Sequence, residues 1–228
     1  MNILVTNDDG WGSPGIELLE EIAKELGDVW IVAPTKPMSG ISHQMTFEVP
    51  MAFEQKTPRS FSLDGTPADC VRVGLTQLDI QFDWVFSGIN KGANLGSDTN
   101  VSGTVAAVRE AGLFNVPGIA LSQHLRRFNA PADWSQPSKL ARRVIPKLLE
   151  RKIEKNNWFN VNLPDIGDCE AESVAIVDSE LDQNPLPATY DTSEPGKLLY
   201  CGEYKNRTRT PNCDADVCFS GSVSITLH

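Results

Sequence analysis

The segment Asn7-Asp8-Asp9-Gly10 sets two adjacent carboxylates directly after the apolar run Ile3-Leu4-Val5. In a parallel sheet, ligands gather at the carboxyl ends of strands. A strand sends successive side chains to opposite faces, so Asp8 and Asp9 can converge on one ligand only where the chain is already turning, and Gly10 permits that turn. Two like charges held this close raise each other's pKa unless a cation sits between them. Oxygen ligation of this type suits a hard divalent ion such as magnesium, manganese or calcium. The competing use of Asn-Asp-Asp-Gly is a solvated turn with an Asx cap.

Further polar clusters stand at the ends of other apolar runs. Ser39-Gly40 follows a Pro-punctuated loop and offers one neutral oxygen ligand with a close backbone. His43, in the same loop, stays open between a packing histidine and a catalytic base. The stretch from Ser87 to Asp98 is rich in Gly and Asn and can turn its N–H groups around an anion. It lacks the GKT/GKS ending of a P-loop and the G-x-G-x-x-G spacing of a dinucleotide fingerprint, which disfavours nucleoside triphosphate and NAD. Ser102-Gly103-Thr104 opens the next helical pattern, where free N–H groups favour a phosphate and Ser102 can also serve as N-cap.

The elements that must position these clusters alternate between strands and helices, the signature of an α/β protein with a mostly parallel sheet flanked by helices. A helix is expected from Pro14 to Leu26, with Ser13 as cap and Gly27 as stop, and then a buried strand over Val29 to Val32. Thr46 to Leu63 reads as an antiparallel excursion. Thr66 with Asp69 resembles a capping box opening another helix. Strands at Trp84 to Phe86, Gly118 to Leu121 and Trp158 to Val161 alternate with helices at Gly103 to Leu113 and Ser138 to Arg151. Beyond Pro164 the apolar runs are short and isolated, and hairpins and loops are expected there.

Composition bounds the function. The chain has 228 residues, 40% hydrophobic and 22% charged, ordinary for a folded globular protein. A formal charge of -10 argues against a nucleic-acid polymer as partner, because duplex binding relies on clustered Lys and Arg, while a small anionic ligand in a local pocket remains compatible. No basic region precedes a long apolar stretch and no run approaches bilayer length, so no membrane partner and a cytoplasmic location are expected. Cys70, Cys169, Cys201, Cys213 and Cys218 are odd in number and scattered, which reads as reduced thiols; no C-x-x-C pair or nearby His completes a zinc set.

The order of motifs resembles the SurE family of stationary-phase survival nucleotidases. The resemblance is carried by Asn7-Asp8-Asp9-Gly10, Pro14-Gly15-Ile16, Ala33-Pro34, Ser39-Gly40 with Ser42-His43, Gly65 to Val71, Ser87-Gly88-Ile89-Asn90 with Gly92-Ala93-Asn94, Ser102-Gly103-Thr104-Val105, and Asn160 to Pro164. It implies a Rossmann-like catalytic core over 1–164 and a C-terminal extension over 165–228, hairpin-rich and engaged in oligomer contacts. It further implies one divalent ion, Mg2+ or Mn2+, held by Asp8, Asp9, Ser39 and Asn90, and a phosphate held by Asn94, Ser102, Gly103 and Thr104. The implied activity is hydrolysis of nucleoside 5′- and 3′-monophosphates, extending to short polyphosphate, by a homodimer or homotetramer. Trp11-Gly12-Ser13 replaces a loop that in many relatives carries a His, and Val101 stands where an aromatic often precedes the Ser-Gly-Thr trio.

The expected mechanism is attack by a metal-activated water that Asp8 or Asp9 orients, with the start of the Gly103 helix stabilising the phosphoryl charge. A covalent aspartyl route of the haloacid-dehalogenase type needs a second Asp two positions on, and residue 10 is glycine. The rival readings are a metal-dependent deacetylase, which would bring His ligands, and a catalytically silent nucleotide-binding module on the same fold.

Overall fold

The computed structural model describes residues 1–125 and 133–228. In chain order the elements are β1 (Asn2–Thr6), α1 (Pro14–Lys24), β2 (Asp28–Pro34), β3 (Phe53–Thr57), β4 (Ser60–Leu63), α2 (Pro67–Gln77), β5 (Trp84–Lys91), α3 (Gly103–Leu113) and β6 (Gly118–Gln123). They continue with α4 (Ser135–Leu149), β7 (Trp158–Leu163), β8 (Ile176–Asp178), β9 (Tyr190–Asp191), β10 (Leu199–Tyr200), α5 (Asp214–Phe219) and β11 (Val223–Leu227). A nine-stranded sheet runs β3-β4-β2-β1-β5-β6-β7-β11-β8. Its pairs from β4 through β7 are all parallel, as is β11 with β8, whereas β3 with β4 and β11 with β7 are antiparallel.

This order has one consequence for chemistry. From β1 the chain builds outward through β2 and β4, then returns to the other side of β1 with β5 and proceeds to β6 and β7. The crossovers leave β1 and β5 in opposite directions, which opens a crevice at their carboxyl ends. Thr6, the last residue of β1, pairs with Ser87 of β5, so the Asn7 turn and the Ser87–Asn94 loop emerge side by side.

Alternation along β1 divides the core. Ile3 and Val5 join Ile16, Leu19 and Ile22 of α1 and Leu140 and Val144 of α4 on one face. Leu4 points to the other face, with Val71 of α2 and Ala107 and Ala111 of α3. Burying both faces of the central strands explains why they read as continuous apolar runs.

Local signals place most helices. The Thr66 hydroxyl accepts from Asp69 N–H at 3.1 Å and the Asp69 carboxylate accepts from Thr66 N–H at 3.0 Å, the expected capping box. Ser13 behaves otherwise: Pro14 opens α1, but Ser13 makes no capping bond, because its Oγ accepts from the Asn7 carboxamide at 2.7 Å. The Thr46–Leu63 excursion is the antiparallel pair β3 and β4, with β4 also parallel to β2.

Residues 165–228 carry a hairpin, β9 against β10, and in addition strands β8 and β11 that extend the main sheet past β7. Val223 and Ile225 pack in the large core cluster while Ser224 and Thr226 are also buried, so a five-residue polar and apolar alternation is covered on both faces.

Candidate active site

Asn7 is buried and makes the turn. Its Nδ2 donates to Gly10 O at 3.0 Å and to Ser13 Oγ, and its Oδ1 accepts from Gly10 N–H at 3.2 Å. Gly10 has φ +95, a conformation that L side chains rarely adopt. The Asx turn expected as the bland use of this segment therefore exists, but Asn7 alone makes it, and both aspartates are left to the crevice.

Asp8 is 5% exposed. Its Oδ1 accepts the Thr104 hydroxyl at 2.6 Å, and its backbone carbonyl accepts from Met38 N–H at 2.7 Å. Its pKa is pushed up to about 6, chiefly by burial, with the Thr104 bond opposing and the charge of Asp9 adding to the rise. Asp9 is half-buried and accepts from Lys91 N–H at 3.4 Å; burial raises its pKa against the pull of Lys91.

The start of α3 lies against this pair. A Cβ on Gly103 would come 2.9 Å from Asp8 Cβ and 3.2 Å from Asp8 Oδ2, so only glycine lets the helix approach this closely. Ser102 caps the helix, its Oγ accepting from Val105 N–H at 3.1 Å, which leaves its own O–H to donate elsewhere. The Thr104 hydroxyl is committed to Asp8, so what Thr104 offers a ligand is its backbone N–H in the first turn.

The loop after β2 is pinned on both sides of Ser39. Met38 N–H reaches Asp8, while Ser42 donates its N–H to Val101 O at 2.9 Å and its hydroxyl to Asn100 O at 2.7 Å. Ser39 itself is exposed between these anchors. His43 binds Glu110 through Nε2 at 2.9 Å, and Arg72 bonds the same carboxylate, which is 1% exposed. His43 thus fastens the loop to α3.

Asn90 lies near the end of β5, just past a register shift against β6 between Ser87 and Asn90. Such irregularities commonly re-aim side chains beside active sites. Its Nδ2 donates to Gly92 O at 2.9 Å, leaving Oδ1 as the ligating atom it can offer. Asn94 is buried in an amide network. Its N–H donates to Asn162 Oδ1, its Nδ2 to Ser122 Oγ, and its carbonyl accepts from Asn160 and Asn162. Ser122, Asn160 and Asn162 did not stand out as functional in the sequence, although two asparagines two apart in an apolar strand signal a shared polar face.

The Ser87–Asp98 loop corrects one expectation. Several N–H groups expected to surround an external anion are already used: Asn94 by Asn162, Leu95 by the Asp98 carboxylate at 3.1 Å, and Gly96 by that of Asp214 at 2.7 Å. Buried side-chain carboxylates supply the anions themselves, and the helix start at Gly103 is left as the phosphate-binding feature.

The donor set fits a hard divalent ion. Among the described residues no three His, Cys, Asp or Glu side chains gather, so the two acids must be completed by neutral oxygens of the Ser39 and Asn90 type. Two carboxylates buried together, with raised pKa values, are what a hard cation stabilises. All five cysteines are free. No described helix is long and apolar enough to cross a membrane.

Comparison with known proteins agrees with this geometry. The family model for Survival protein SurE matches residues 3–183. A Synechocystis relative is 42% identical over 228 residues, covering 99% of this chain and 98% of its own. The protein named 5′-nucleotidase SurE from Paramagnetospirillum magneticum is 34% identical over 231 residues, 99% of this chain and 88% of its own. The crystal structure of SurE from Aquifex aeolicus superposes with a TM-score of 0.86 at 31% identity, covering 100% of this chain and 93% of that one. The chain belongs to the SurE survival-protein family.

Proposed function

We propose that this protein is a divalent-metal-dependent phosphomonoesterase that hydrolyses nucleoside 5′- and 3′-monophosphates, with short polyphosphate as a further substrate. One observation carries the reading: the first turn of α3 abuts Asp8 through Gly103, so an anion-binding helix start and a pair of carboxylates share one crevice. The 5′-nucleotidase names of the relatives support the substrate class.

Asp8, Asp9, Ser39 and Asn90 are the residues that would hold Mg2+ or Mn2+. When bound, such an ion supplies Lewis acidity, neutralising phosphoryl charge and easing deprotonation of water. The chain's own groups do the rest. The N–H groups of Gly103 and Thr104 and the Ser102 hydroxyl bind phosphate oxygens, aided by the positive end of the helix. Asn94 adds the amide hydrogen that Ser122 does not use. Asp9, the more accessible acid, orients the attacking water, and Asp8 is held in one rotamer by Thr104. As water oxygen bonds to phosphorus, the ester P–O bond breaks and the departing nucleoside oxygen takes up a proton.

The deacetylase alternative loses support here, since no third His, Cys, Asp or Glu joins the two aspartates among the described residues and His43 is tied to Glu110. The test is phosphate release from nucleoside monophosphates with manganese or magnesium, a chelator control, and the variants Asp9→Asn and Asn90→Ala. Release that a chelator abolishes and that both variants cripple is expected. Nucleotide binding without turnover under any divalent ion would overturn the enzyme in favour of a silent binding module.

A further inference from the structure

Beside the crevice lies a cavity of about 800 Å3, within the size range of small-molecule sites. Gly92 and Ala93 form one side, His124 closes the end of β6, and Tyr204 and Phe219 come from the C-terminal segment. Gly92 and Ala93 fall between Asn90 and Asn94, so the cavity opens off the same loop that carries candidate metal and phosphate ligands.

Resting on the phosphomonoesterase reading, we propose that this cavity is the nucleobase pocket, with Tyr204 and Phe219 as a stacking wall built by the C-terminal segment. The Phe219 ring centroid lies 4.5 Å from His124 and 5.9 Å from Tyr204, the two pairs tilted by 39° and 31°. Together the rings present a continuous aromatic surface. That surface is anchored to the catalytic loop: Tyr204 O–H donates to Asp98 Oδ2 at 2.7 Å, and the same carboxylate oxygen accepts from Leu95 N–H, one residue past Asn94. Arg207 binds Asp98 at 2.8 Å and lies 5.0 Å from the Tyr204 ring, and Arg209 lies 5.0 Å from the Phe219 ring. The wall and the phosphate cradle are therefore parts of one braced unit.

The occupant follows from shape and chemistry. A ligand whose phosphate sits at the start of α3 reaches this cavity only with a body extending from the phosphate, and a mostly apolar, ring-lined cavity favours a flat aromatic body. A nucleoside monophosphate has both ends. Glu203 and Lys205, paired with each other at 3.1 Å, are exposed, so the wall offers ring faces more than hydrogen-bonding edges. Stacking accepts every base and favours the larger ring system, so the pocket takes purines ahead of pyrimidines without strict selection.

The test compares kcat/KM for AMP and for ribose 5-phosphate, the same sugar phosphate without a base, on the full-length protein. Wild type should prefer AMP, and Phe219→Leu should reduce that preference about tenfold, whereas Tyr204→Phe, which keeps the ring, should retain it. The ratio is taken on one preparation, so a partly unfolded variant does not distort it. Calorimetry with unphosphorylated adenosine reads the pocket without catalysis, and Phe219→Leu should weaken that binding. Adenosine binding without phosphate release from any substrate would remove the enzyme reading and keep the pocket. Phosphate release with no preference for AMP, or with a preference untouched by Phe219→Leu, would remove the pocket and keep the enzyme. An unchanged preference joined to a shift in oligomer size would assign the cavity to a second copy of the chain and equally overturn the proposal.

Discussion

Thr104 donates its hydroxyl to Asp8 Oδ1 at 2.6 Å, joining the first turn of α3 to the end of β1 across 96 residues of sequence. Asp8 is buried, and this bond opposes the rise that burial imposes on its pKa. Replacing Thr104 with Val keeps the shape and removes the donor. Stability should fall by about 1–3 kcal/mol, the cost of leaving a buried acceptor unpaired, and phosphate release should fall at least tenfold. Thermal unfolding and steady-state turnover check the two effects separately; unchanged turnover would mean that the rotamer of Asp8 is set by something else.

Gly103→Ala tests the close approach of helix and acid. The added methyl would meet Asp8 Cβ at 2.9 Å and Pro67 Cγ at 3.1 Å, so the helix start must retreat. A stability loss of about 1–3 kcal/mol is expected from overpacking, with a larger proportional loss of activity than of stability. Manganese affinity by calorimetry should weaken in the same variant.

The ion pair of Arg207 with Asp98 is buried on both sides, at 1% and 9% side-chain exposure. Arg207→Met leaves Asp98 with the Tyr204 and Leu95 donors but no cation. Breaking such a pair from one side should cost about 3–5 kcal/mol, read as a lower denaturant midpoint. Because Asp98 also caps the segment leading to Ser102, KM for nucleotide should rise in the folded variant.

Glu110 contributes a pH-dependent term. Burial pushes its pKa up, but the bonds from His43 and Arg72 outweigh that and hold it below the ordinary glutamate value. A carboxylate with a depressed folded pKa stabilises fully above its unfolded value, near 4.5, and loses that contribution as pH falls through the lower folded value. Glu110→Gln should therefore melt below wild type at pH 7, with the gap closing on acidification below about pH 4.5. A gap that stays constant with pH would show that the loss is one of packing.

The helices with local signals were legible in the sequence. The Thr66 and Asp69 box and the Gly103–Leu113 span depend on residues within a turn or two of each other, and the structure reproduces both. The Ser13 cap was misread because its hydroxyl had a competing partner, Asn7, that turns back only in three dimensions. The anion-cradling role of the Ser87–Asp98 loop failed for a related reason. Asp214, which takes the Gly96 N–H, lies 118 residues away, and no pattern within the loop announces it.

What the sequence by itself determined was the alternation of strands and helices, the turn that frees Asp8 and Asp9, and the helix start at Ser102 to Thr104. These rest on short-range geometry: side-chain period, caps and turn residues act within a few positions of one another. Tertiary structure alone decided that β1 and β5 would be neighbours at the point where the crossovers diverge, that Thr104 would lock Asp8, and that β11 would extend the sheet beyond β7. Those outcomes depend on which strand edges and helix faces bury the most surface together, a property of the whole chain that no single segment carries.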